Sequence, residues 1–278
     1  MQKTFIFILT TIFFVSCQEN KTSEVTMKTV EEKETKASEE LTHDALMKTV
    51  EIKEHDVKNI GILVYEGVND LDALGPRYVF KNIMGINVMT IGVTSKNITT
   101  VMGLEFKADT LYNAVDSLDI LVIPGGFRET IRIAYDEEIL DWIRKIDKTT
   151  KYTTSVCTGG WILGKTGLLK DRKATGNWFR AKEMLAEDGA IFTNERYTRD
   201  GKYWTAAGVT AGMDMSLAIL MELTGKDYTE AVMLDMEYDP KPPIDAGSVE
   251  KTSPQVYNFM KTMYSTMADP VFEEVKKR

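Results

Sequence analysis

The chain has 278 residues, 43% of them apolar and 27% charged, with a net charge of −8. That length holds one large α/β domain or two small ones, and the composition is ordinary for a soluble globular protein. The acidic balance, with a pI of about 5.1, excludes a nucleic-acid partner, which would need a basic face.

In chain order, residues 1–16 place Lys3 before an apolar run from Phe5 to Val15. The run is too short for a bilayer span, which takes roughly 20 residues. It fits a secretory signal peptide. The run ends Phe14-Val15-Ser16-Cys17, which resembles a bacterial lipoprotein cleavage box. That resemblance implies cleavage before Cys17, a lipid on its thiol, and a mature protein anchored to a membrane of the bacterial envelope. Residues 18–57 are rich in Lys, Glu, Thr and Ser, with no Gly or Pro. They are expected to form a solvated tether over 17–57, with a weak helical pattern over 45–52. Both histidines, His43 and His55, fall in it.

A folded domain is expected over 58–278. Residues 59–65 (NIGILVY) form a buried, β-branched run and predict the first strand. Residues 70–83 follow as turn and helix, with Pro76 suited to a first helical turn. A second strand is predicted over 86–93, and a hairpin over 97–108 with Gly103 at its turn. Residues 119–123 (DILVI) predict a buried strand ending in Pro124-Gly125-Gly126. Asp136 is placed to cap a helix whose apolar positions 139, 142, 143 and 146 share one face. Residues 152–156 predict a strand that runs into Cys157, and 158–166 the helix after it. The apolar run 209–223 predicts a buried helix stopped by Gly225, and 254–267 a last helix. Alternating strands and helices imply a mostly parallel sheet covered on both faces.

The chemistry lies at the carboxyl ends of the strands, where open α/β sheets bind ligands. Thr154-Ser155-Val156-Cys157-Thr158-Gly159-Gly160 has the logic of a nucleophile elbow, a turn so tight that small neighbours are required. The amino end of the next helix is expected to lower the pKa of the thiol. A buried structural cysteine is the other role open to it. Gly125 and Gly126 let backbone N–H groups approach a substrate, and the N–H groups of Gly126 and Thr158 are expected to form an oxyanion pair. Glu66 and Asp72 follow the first strand onto the same edge. Asp72, in the apolar setting Leu71-Asp72-Ala73, suits either a proton carrier with a raised pKa or a helix cap. No histidine lies after His55 and no G-x-G-x-x-G or Walker A stretch occurs. A Cys-His dyad, a histidine-ligated metal and nucleotide use are therefore not expected.

Five ordered stretches, LDALGPRYVF (71–80), LVIPGG (121–126), TSVCTGGWILGKTGLL (154–169), AGVTAGMDMSLAI (207–219) and MEYDPKPPIDAGS (236–248), resemble the ThiJ/PfpI family. That resemblance implies the class I glutamine amidotransferase-like, flavodoxin-like fold, with Cys157 as nucleophile assisted by Asp72 and Thr158. Glu66, Gly125, Gly126, Asn177 and Trp178 then fall at the substrate. Within the family the likeness leans to isonitrile hydration. It implies a small-molecule substrate, no metal or organic cofactor, and a homodimer. One departure is Asn177, where many relatives carry histidine; asparagine hydrogen-bonds but does not take up a proton. That weakens readings that need a Cys-His pair. A thiol stress sensor or repair enzyme and a non-catalytic ligand-sensing domain are the alternatives. The sensing domain would want an added DNA-binding module, which the residues after 254, with one predicted helix, are not expected to hold.

Overall fold

The computed structural model describes residues 49–277. The predicted signal peptide, the lipidation at Cys17, His43 and most of the tether lie outside the described residues. The fold begins before the expected boundary. Val57 is buried, the Lys53 N–H donates to the Thr224 carbonyl at 2.9 Å, and the Glu51 N–H donates to Asp227 Oδ2 at 3.1 Å. Residues 51–57 are thus bonded to the body, although their composition reads as solvated.

The strands are β1 (Asn59–Val64), β2 (Asn87–Gly92), β3 (Asn97–Thr99), β4 (Glu105–Lys107), β5 (Thr110–Leu111), β6 (Ile120–Ile123), β7 (Tyr152–Val156), β8 (Lys173–Ala174), β9 (Ile191–Phe192), β10 (Tyr197–Asp200) and β11 (Tyr203–Ala206). The helices are α1 (Asp70–Lys81), α2 (Arg128–Ile133), α3 (Glu137–Asp147), α4 (Gly159–Lys165), α5 (Ala181–Glu187), α6 (Val209–Thr224), α7 (Lys226–Asp235) and α8 (Pro254–Val275). Among the described residues one seven-stranded sheet runs β10-β11-β7-β6-β1-β2-β5. Its pairings are parallel except β10 with β11. Helices α1, α6 and α7 pack together as one group, and α2, α3, α4, α5 and α8 as another. The doubly covered, mostly parallel sheet is the expected one.

The middle strands β1, β6 and β7 are buried almost throughout. That is why they read as continuous apolar runs rather than alternating ones. Their carboxyl ends bring residues 65–72, 124–127 and 157–160 to one edge. The antiparallel β3–β4 pair closes through Gly103 at φ +88°, as its sequence predicts. Asp136 caps α3, accepting from the N–H groups of Glu138 and Ile139. Four expectations are corrected. Asn69, not Asp72, caps α1, accepting from the Asp72 N–H at 3.3 Å. Because α1 starts at Asp70, Pro76 sits inside the helix and removes the N–H that would bond the Asp72 carbonyl. Residues 128–133, for which no element is predicted, form α2. The last helix, expected to end at 267, continues to Val275. Among the described residues no helix is long and apolar enough to cross a membrane.

Candidate active site

Cys157 has φ +61°, a conformation that costs a non-glycine residue about 1–3 kcal/mol and persists only where the surroundings impose it. They do so here. The Cys157 N–H donates to the Ala206 carbonyl at 2.9 Å, and the Cys157 carbonyl accepts from the N–H groups of Gly160 and Asn177, each at 3.3 Å. The turn also demands glycine at 159, where a Cβ would lie 2.1 Å from the Ile123 carbonyl oxygen. At Gly160 the nearest contact would be an ordinary 3.5 Å. Only one of the two elbow glycines is therefore sterically required.

Around the sulfur the structure gathers Asp72, Thr158, Asn177, Gly125 and Gly126. Asn177 Nδ2 donates to Cys157 Sγ at 3.1 Å. The amide is held in that sense because its Oδ1 accepts from the Phe179 N–H at 2.9 Å. The Thr158 N–H also favours the ionised sulfur. Asp72 is fully buried; its Oδ2 accepts from the Gly125 N–H at 3.1 Å, and its Oδ1 is buried without a protein hydrogen-bond partner of good geometry. The carboxyl group and the thiol each shift the other's titration. Gly125 makes this approach possible: a Cβ there would lie 2.5 Å from Thr158 Oγ1 and 2.9 Å from Asp72 Oδ2.

Two expectations about the electrostatics change. Burial raises the Asp72 carboxyl to about 7, the shift its apolar setting suggests. The thiol does not become more acidic. Cys157 is only 6% exposed, and burial, joined by the negative charge of Asp72, pushes its pKa well up, against the N–H groups of Thr158 and Asn177. Two anions cannot share so dry a site. When one proton is present it sits on sulfur, with Asp72 as the carboxylate. The proposed oxyanion pair is also altered. The Gly126 N–H donates to Thr158 Oγ1 at 3.1 Å, and that hydroxyl donates back to the Gly126 carbonyl at 3.0 Å. Thr158 thus locks the 124–126 loop, leaving the N–H groups of Thr158 and Asn177 as the donors at the sulfur.

Glu66 is not brought to this group. Its Oε2 accepts from the Thr99 N–H at 3.0 Å, and it lines a separate cleft with Tyr65, Glu129 and Arg132. Trp178 is 36% exposed and packs edge-on with Phe179 and Tyr257. His55 belongs to the folded part but precedes β1, at the opposite edge of the sheet from the sulfur. Among the described residues no cluster of three His, Cys, Asp or Glu side chains is placed to hold a metal.

Sequence reasoning missed two residues. The Tyr65 hydroxyl donates to the Pro124 carbonyl and pairs with Thr130 Oγ1, each at 2.9 Å, steadying the glycine loop from below. Its place directly after a buried strand was the available signal. Tyr264 of α8 lies against Phe127, Trp178 and Phe179, with ring centroids 5.1, 5.2 and 5.3 Å away. Nothing local in the sequence marks it.

With this geometry in place, residues 58–222 match the DJ-1/PfpI family. The chain belongs to that family. It is 37% identical over 189 residues to the isonitrile hydratase of Pseudomonas putida, a match covering 68% of this chain and 82% of that protein. A ThiJ/PfpI family protein from Pseudomonas syringae has a crystal structure that superposes with a TM-score of 0.74 at 34% identity, covering 79% of this chain and 91% of that one. A 125-residue part is 30% identical to the HTH-type transcriptional regulator CdhR of Pseudomonas aeruginosa, covering 44% of this chain and only 36% of the regulator. The fold is thus the class I glutamine amidotransferase-like one of the DJ-1/PfpI family.

Proposed function

We propose that this DJ-1/PfpI protein hydrates isonitriles, adding water to R–N≡C to give an N-substituted formamide. The observation that carries the reading is the pairing of one strained thiol with one buried carboxyl group and a non-titrating amide. Similarity to the P. putida isonitrile hydratase supports it. Asp72, as the carboxylate, takes the proton of Cys157 while sulfur attacks the terminal carbon of the isonitrile. Asp72 returns that proton to the same carbon, giving the thioimidate Cys157–S–CH=N–R. Water then adds to the carbon, its proton passing through Asp72 to the nitrogen to give Cys157–S–CH(OH)–NH–R. The C–S bond breaks as the hydroxyl group becomes the formyl oxygen, and its proton returns to the sulfur. The sum is one isonitrile plus one water. The donors of Thr158 and Asn177 stabilise the sulfur as it gains charge.

Isonitriles suit these groups because the route needs one mobile proton and no second base. A Cys-His mechanism needs a titrating partner that Asn177 cannot supply. The thiol-sensor reading is less favoured, since sensors rely on an exposed, low-pKa thiol. The protein should convert members of an isonitrile panel to formamides, read by mass spectrometry, and Cys157→Ala should not. A panel returned unchanged would end the reading. The homodimer and the lipid anchor at Cys17 are part of the same proposal. The anchor rests on the pattern of residues 1–17 and places the enzyme at the cell envelope. Cys17→Ala should then move the protein from the membrane to the soluble fraction, and unchanged membrane fractionation would refute it.

A further inference from the structure

Two loops, 124–127 and 176–179, meet near the sulfur, which is only 6% exposed. The first carries Phe127 beside the glycine pair, and the second carries Asn177, which touches the sulfur, followed by Trp178 and Phe179. One side chain from a distant helix contacts both loops. The Tyr264 ring meets Phe127 edge-on at 5.1 Å on one side, and Trp178 and Phe179 at 5.2 and 5.3 Å on the other. Burial pushes the Tyr264 phenol up, and the charges of Cys157 and Asp72 add to the shift.

Tyr264 is held from its carboxyl side. Arg180 reaches across to Asp269 at 2.7 Å and donates to Ser265 Oγ at 3.4 Å. Arg132 pairs with Glu274 at 2.9 Å. Ala268, Val271 and Phe272 are buried. Before Tyr264 the helix is held by little apolar packing, and Val256, Phe259 and Met263 are exposed. Tyr264 thus stands on the first firmly docked turn of α8, bridging the two loops.

We propose that Tyr264, with Phe127 and Trp178, forms an aperture that admits only slim, end-on head groups to Cys157 and so sets substrate choice. An isonitrile offers its reacting carbon as the tip of a linear group, with nothing beside it. A carbonyl or ester carbon carries substituents on two sides and meets the rings first. The isonitrile reading enters only in naming the natural head group. The aperture itself concerns access to a thiol.

The test uses alkylation of Cys157 in the full chain, followed by mass spectrometry of the peptide that contains it, so that Cys17 does not contribute. Iodoacetonitrile serves as the slim electrophile and monobromobimane as the bulky one. Tyr264→Ala should raise the bulky rate relative to the slim rate by about tenfold, the scale on which removing pocket-wall groups changes discrimination. Tyr264→Phe keeps the ring and should leave the ratio as it is. A ratio unmoved in Tyr264→Ala would overturn the proposal. So would both rates rising together, which would mean general loosening, or Tyr264→Phe matching Tyr264→Ala, which would assign the effect to the hydroxyl group. Because no turnover is read, failure here is separable from failure of isonitrile hydration. In turnover, Tyr264→Ala should lower KM for isonitriles branched next to nitrogen more than for unbranched ones.

Discussion

At Cys157 two pulls oppose each other. Helix-end donors favour a thiolate, but burial and the nearby carboxyl group disfavour it more. The proton therefore rests on sulfur until substrate arrives, and Asp72 must be ionised to receive it. Since burial holds that carboxyl at about 7, activity should rise with pH through that region, with an apparent value belonging to the pair rather than to either group. Asn177 supplies a permanent donor 3.1 Å from the sulfur. Asn177→Ala should lower kcat/KM by roughly tenfold, the worth of one hydrogen bond to a charged group. Asn177→Asp should lower it further, by setting a second carboxylate beside the developing thiolate. Steady-state kinetics on the two variants would check this order, and equal losses would contradict it. The elbow and the acidic position were legible because each lies within a few residues of a buried strand. The raised thiol pKa was not, because it depends on burial by the whole fold and on the charge of the distant Asp72.

Among the elements, the strand-to-helix turn after β7 leaves no space at one glycine and ordinary space at the next. Gly159→Ala should abolish soluble expression or cost several kcal/mol in denaturant unfolding, since the Ile123 carbonyl would have to move. Gly160→Ala should fold nearly as well as the parent protein. Equal effects would refute the assignment. The alternation of strands and helices was readable from apolar periodicity, but the β10–β11 hairpin was not identified although Asp200-Gly201, with φ +62° at the glycine, is a strong turn signal. The expected use of the Gly126 N–H failed for a different reason. Loop amides face whatever side chain the fold brings, here the Thr158 hydroxyl, and no spacing in the sequence encodes that.

Across the molecule, the site is held at a cost in stability. Asp72 has an ordinary value of 3.8 and is raised to about 7 in the fold. Between those values the unfolded chain releases the proton while the native state keeps it, so stability falls as pH rises through this window. Asp72→Asn removes the titration. Its melting temperature should exceed that of the parent protein at about pH 8, with the gap closing toward about pH 4; a gap independent of pH would contradict the buried-carboxyl account. Among the described residues Met102 and Leu104 on the β3–β4 turn and Phe259 on α8 are exposed, and the proposed homodimer is tested at this scale. Light scattering should return twice the chain mass, and a monomer would refute the dimer.

The central claim is that a carboxyl group buried beside the sulfur performs the proton transfers of isonitrile hydration. It is tested most directly by measuring kcat/KM for formamide formation against pH in the parent protein and in Asp72→Asn. The expected result is a parent profile that climbs through pH of about 7 and a variant reduced by at least about a hundredfold on the plateau above it, the gap narrowing as pH falls. A variant that keeps the parent's rate and profile would contradict it.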